Sequence, residues 1–218
     1  MDLGPKIAIG ALLAAALLFG ARARAQSRAR PVTRGLVLGD SIMAHGGAVR
    51  VLTEQTRAPW NNVAVVGANS AAVLQQAREN LQTAGRYSHV VVLAGVNDGA
   101  RPASFTKTNL TQIYQLAKSM GAQVIAVTEP PARSYTGGWT GAHEMRQNGA
   151  VGFLVTQRGG GLADRVVDAW TQLSNPERPG HLAERYAAIM PTGRPDWLHL
   201  NSDGQRLLGA LILQAIRR

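Results

Sequence analysis

Asp196 and His199 stand three residues apart in Asp-Trp-Leu-His-Leu-Asn, and Gly39-Asp40-Ser41 ends a short apolar run far upstream. A serine hydroxyl becomes a useful nucleophile when an imidazole takes its proton. That imidazole works best when a carboxylate fixes its tautomer and steadies its positive charge. Ser41, His199 and Asp196 can fill those three roles. Each fragment alone is weak, because Gly-Asp-Ser is common turn chemistry and an Asp three residues before a His arises often by chance. Order and surroundings must carry the case.

Two further blocks lie between those ends, Asn62-Val-Ala-Val-Val-Gly67-Ala-Asn-Ser and His89-Val-Val-Val-Leu-Ala-Gly95-Val-Asn97-Asp98. Both read as apolar strands that end in small or amide residues. In an open parallel sheet the carboxyl ends of the strands converge on one crevice, which would gather Ser41, Gly67 and Asn97. The backbone N–H groups of Ser41 and Gly67 and the side-chain amide of Asn97 would then face one developing oxyanion. Losing one such donor typically costs about 3 to 4 kcal/mol of barrier stabilisation.

These four blocks resemble those of the GDSL-type, or SGNH, hydrolases, a family named for Ser, Gly, Asn and His in that order. The letters are present as Ser41, Gly67, Asn97 and His199, with Gly95-Val-Asn-Asp98 matching GxND and Asp196-Trp-Leu-His199 matching DxxH. The resemblance runs from Gly39 to Gly204. The first block has Ile42 where the name-giving pattern has Leu, and the second keeps its glycine in a looser context; neither departure removes a reacting atom. The resemblance implies the flavodoxin-like SGNH-hydrolase fold and an ester hydrolase working through an acyl-enzyme, with no metal or organic cofactor. Within it stand lipases, lysophospholipases, thioesterases and esterases that remove acetyl groups from polysaccharides.

The elements that must position these groups follow from hydropathy. Strands are expected at Leu36–Gly39, Val63–Gly67, Val90–Ala94, Gln123–Thr128 and Arg165–Ala169. Helices are expected at about 44–55, 70–83, 105–120, 142–157 and 202–216, with irregular chain over 175–195. Alternating apolar strands and amphipathic helices imply a five-stranded parallel sheet covered on both faces, a three-layer α/β/α sandwich. Gly159-Gly-Gly161 lacks the Lys-Ser/Thr of a phosphate-binding loop and reads as a turn.

Other residues admit blander readings. Ser41 and Asp40 are favoured helix caps, and Asp40 is assigned to the turn rather than to the triad. His45, His89, His143 and His181 lack a nearby carboxylate in a comparable position and read as surface or structural. His143-Glu144 suggests a zinc helix, but position 147 is Gln, so a metal site is not expected. Tyr135, Trp139 and Trp197 are candidates for stacking on a sugar or lining an acyl pocket, against the commoner role of packing.

At 218 residues and 45% hydrophobic content the chain fits one folded domain. Residues 1–25 read as a secretory leader: Lys6, fourteen apolar residues over Ile7–Gly20, and small residues at alternate positions up to Ala25. An uncleaved membrane anchor is the rival, although a spanning helix needs about twenty apolar residues. Residues 26–34 form a polar, arginine-rich linker, and residues 35–218 the catalytic domain. A secreted or periplasmic location is expected, with membrane contact only if the leader is retained.

The formal net charge is +10; taking away residues 1–25 removes Lys6, Arg22, Arg24 and Asp2 and leaves +8. That balance suits anionic partners. The arginines are scattered and no nucleic-acid motif appears, so nucleic acid is not expected. The expected partner is an ester substrate, an acetylated or anionic glycan ranking ahead of a lipid. Outside enzymes, the alternative is a carbohydrate-binding protein that kept the fold and lost the chemistry.

Overall fold

A computed structural model describes residues 30–133, 139–156 and 161–218. The expected leader, residues 26–29 of the linker, Tyr135 and the first two glycines of Gly159–Gly161 lie outside the described residues. Residues Pro31–Ile216 form one compact unit.

A five-stranded parallel sheet runs in the order β2-β1-β3-β4-β5, from β1 (Gly35–Gly39), β2 (Trp60–Asn62), β3 (His89–Leu93), β4 (Gln123–Val127) and β5 (Arg165–Val167). Strands β1 and β3 pair along their whole length, from Gly35 opposite His89 to Gly39 opposite Leu93. Helices cover both faces: α1 (Ser41–Ala44), α2 (Gly47–Thr56), α3 (Ser70–Asn80), α4 (Ala103–Ser119), α5 (Gly141–Thr156), α6 (Ala169–Leu173) and α7 (Ser202–Ile216).

Successive side chains of a strand point to opposite faces, so a strand buried on both sides reads as continuous apolar chain. Val37, Val91, Leu93, Ile125 and Val127 accordingly face one core, shared with Ile42 and Met43, Leu52 of α2, and Leu208 and Ile212 of α7. Their neighbours Leu36, Leu38, Val90, Val92, Val124 and Ala126 face the other, with Val73 of α3 and Leu110, Ile113 and Tyr114 of α4. All eleven of these strand residues are buried. At about 25 cal/mol per Å² of apolar surface removed from water, these two layers are the main stabilising term of the unit.

Three expectations need correction. The strand expected at Val63–Gly67 is instead Trp60–Asn62, and the chain beyond it runs past the sheet edge. Only Val63 N and Val65 N still donate to β1, at Val37 O and Gly39 O, both 3.1 Å. Val65 and Val66 are 55% and 70% exposed, so their apolar character does not mark burial.

The single helix expected from Ala44 is broken at His45-Gly46, because Gly46 takes a left-handed φ of 77° before α2 begins. The segment 175–195 is not irregular throughout. It holds one hairpin of β6 (Ser174–Asn175) with β7 (Arg178–Leu182), then β8 (Ala187–Ile189), which pairs antiparallel with β9 (Pro195–Leu200). The two short ladders replace loop because each supplies backbone partners to chain that crosses the sheet's carboxyl end.

Candidate active site

The nucleophile candidate sits where β1 meets α1. Asp40 caps this turn: its Oδ1 accepts from Ile42 N at 3.0 Å. Ser41 follows, only 3% exposed. The preceding Gly39 is clamped by Gln76, which accepts from Gly39 N at 3.1 Å and donates to Gly39 O at 3.0 Å.

His199 and Asp196 come from the far end of the chain on β9, and an irregularity in that strand aims them. Ala187 pairs with Leu200, yet the next residue, Ala188, pairs with Asp196. Trp197, Leu198 and His199 are therefore extra chain on the β9 side, and such bulges bend a strand and redirect its side chains. Asp196 closes the bulge itself, its Oδ1 accepting from Leu198 N at 3.0 Å and His199 N at 3.2 Å. Asn201 anchors the exit by donating from its N–H to Tyr186 O and accepting from Asp203 N and Gly204 N at the start of α7.

The result is a continuous line. His199 Nδ1 lies 2.7 Å from Asp196 Oδ2, and His199 Nε2 lies 2.9 Å from Ser41 Oγ. Burial alone would raise the Asp196 carboxyl. The bond from His199 and the two backbone N–H groups outweigh that and hold it below its ordinary value. Asp196 is thus an anion over the neutral range, and with its Oδ2 facing Nδ1 it favours the tautomer that leaves Nε2 free to accept from Ser41.

Gly67 and Asn97 share one neighbourhood. Gly67 occupies a turn with φ 76°, a left-handed value that suits glycine, and a Cβ there would meet nothing within 4 Å. Asn97 lies in a short 3₁₀ turn, Val96–Asp98, directly after β3, and its amide donates to Ala68 O at 3.1 Å, one residue past Gly67. A primary amide has two N–H donors, so one remains. The Val65–Gly39 bond hangs this segment on the end of β1, beside Asp40-Ser41.

Asp98 is structural here: it accepts from Ser70 N at 2.8 Å and from the Thr106 hydroxyl, tying the Gly95–Gly99 turn to α3 and α4.

A buried ion pair that sequence reasoning missed supports the same turn. Glu129, just after β4, accepts from Arg146 Nη1 of α5 at 2.5 Å and from Gln147 Nε2 at 3.3 Å. Arg146 Nε also donates to Gly99 O at 3.2 Å. Both charged side chains are within 1% of full burial. Burial pushes the Glu129 carboxyl above its ordinary value, and the Arg146 charge works against that shift. Burial likewise raises Asp40, to about 7. Nothing in single-sequence patterning marks a Glu and an Arg seventeen residues apart as partners, because such residues are almost always exposed.

Of the other histidines, His143 bonds Thr140 and stacks against Trp139, and His89 is buried beside Ser88. Trp139 and Trp197 pack against the core that contains Ile42 and Leu200. Among the described residues no three His, Cys, Asp or Glu side chains gather as a metal site. His45, expected to be surface or structural, is exposed, and its ring stands edge-on to His199, centroids 5.2 Å apart at 84°. The signal was its place four residues after Ser41, one turn on along the same face.

Comparison with known proteins agrees with this architecture. The GDSL-like lipase of Bacteroides thetaiotaomicron superposes with a TM-score of 0.67 at 22% identity, over 90% of this chain and 94% of that one. A psychrotrophic esterase of Pseudoalteromonas sp. gives 0.52 at 17%, over 84% and 96%. The acetyl xylan esterase AlAXEase gives 0.60 at 16%, over 84% and 98%. No curated protein matches by sequence. The model of the GDSL-like lipase/acylhydrolase family matches residues 37–207, and with that span covering every block described above, the chain belongs to this family of ester hydrolases.

Proposed function

We propose that the chain is a serine esterase that removes a short acyl group, acetyl above all, from a glycan or small ester. The observation that carries this reading is the unbroken line Ser41–His199–Asp196, with its two hydrogen bonds of 2.9 and 2.7 Å. In it His199 takes the Ser41 proton as Oγ attacks the ester carbonyl, and Asp196 steadies the imidazolium. The tetrahedral oxyanion is received by Ser41 N–H, Gly67 N–H and the second N–H of Asn97. Collapse expels the alcohol, which takes the proton from His199. Water, deprotonated by the same imidazole, then releases the acid and restores Ser41. No step in this scheme requires a cofactor.

The acetyl preference is supported by the fold's likeness to an acetyl xylan esterase. A second reading, a lysophospholipase or short-chain lipase, is favoured by the exposed Val65 and Val66 beside Gly67, which offer an apolar surface to a longer acyl chain. Hydrolysis of p-nitrophenyl esters from acetate to long-chain acyl, run beside Ser41→Ala, separates them. Serine-dependent cleavage fastest on acetate supports the first reading, and an optimum at longer chains supports the second. Ser41→Ala should lower turnover at least a thousandfold, to what the oxyanion donors alone provide. Equal turnover in the two proteins would refute the nucleophile.

A further inference from the structure

His45 lies outside the hydrogen-bonded line yet touches its central member. It follows α1, with its N–H bonded to Ser41 O at 3.1 Å. That bond fixes where its Cα stands relative to the nucleophile. From there its exposed ring meets the His199 ring edge to face, at 5.2 Å and 84°. The His199 ring has both nitrogens committed, one to Asp196 and one to Ser41, so its plane is set by those bonds. A second ring against it restrains the rotation that would break both.

We propose that His45 is a positioning residue for the catalytic base: a second ring that holds the His199 imidazole in line between Asp196 and Ser41. The inference rests on His199 being the base.

An edge-to-face ring pair contributes a modest attraction beyond area burial.

The test compares the full chain with His45→Phe, which keeps a ring, and His45→Ala, which removes it. His45→Ala should lower kcat by about two- to tenfold with little change in KM, the size of one ring pair. His45→Phe should restore most of that loss.

An unchanged kcat in His45→Ala, or a His45→Phe as impaired as His45→Ala, overturns the proposal. Failure of the nucleophile assignment would instead appear as turnover in Ser41→Ala.

Discussion

Replacing Arg146 with Met should show how strongly the buried ion pair supports the turn that carries Asn97. Met keeps most of the side-chain stem but removes the guanidinium, and with it the 2.5 Å bond to Glu129 and the 3.2 Å bond to Gly99 O. Breaking a buried pair from one side typically costs about 3 to 5 kcal/mol, because the remaining charge keeps its desolvation penalty. The lower end applies here. Gln147 Nε2 still donates to Glu129 at 3.3 Å, and the carboxyl can take up a proton.

A loss of about 3 kcal/mol is roughly a hundredfold in the folding equilibrium, or about 6 to 12 °C in Tm for a unit this size.

The pH dependence makes the prediction sharper. Glu129 already has a folded-state carboxyl above its ordinary 4.5, and removing Arg146 raises it further. A group raised in the folded state favours folding fully below its unfolded value and loses that contribution as pH rises through the folded value. The deficit of Arg146→Met should therefore be smaller at pH 5 than at pH 8, by about 1 kcal/mol or more. Arg146→Met/Glu129→Gln, with no stranded charge, should recover part of the loss at pH 8 and show little pH dependence. Urea unfolding followed by circular dichroism at both pH values measures all three. A deficit below about 1 kcal/mol at pH 8, or one that does not change with pH, would refute the reasoning.

Asp40→Asn should flatten the stability profile between pH 5 and 8, since the native carboxyl, raised to about 7, favours folding below that pH and stops doing so above it. Urea midpoints that fall equally in both proteins over that range would count against it. Gly95→Ala should destabilise by at least about 2 kcal/mol, because Gly95 has φ 136° and a Cβ there would overlap Glu129 Oε1, a buried atom already bonded to Arg146. Thermal unfolding checks it, and ester turnover should fall further than stability alone explains as Asn97 moves.

How much of this was legible in the sequence depended on what each residue type can reveal. Strands β1, β3 and β4 were readable because both faces are buried, so Val90–Leu93 and Val124–Val127 contain nothing polar. The same signal misled at Val63–Gly67. Hydropathy cannot distinguish a valine facing a core from one facing solvent, and Val65 and Val66 face solvent. The Asp196–His199 spacing was visible, since the bond between them is local. The bulge that delivers them was not, because the pairing of Ala188 with Asp196 is decided by partners elsewhere in the fold. Arg146 and Glu129 were hidden for a third reason: the energetics of a buried charge depend wholly on the partner found there.

The bond between Ser41 and His199 joins residues 158 positions apart. Closing a loop of that length has an entropic cost of roughly 4 to 5 kcal/mol, met only when the intervening sheet and helices are in place. A chain still emerging from the ribosome presents Ser41 well before His199. Partial molecules, whether nascent or clipped anywhere between β1 and β9, hold a hydroxyl without a proton acceptor. With Ser41 and His199 in the roles proposed above, ester turnover reports the folded fraction of a sample, because neither group works without the other.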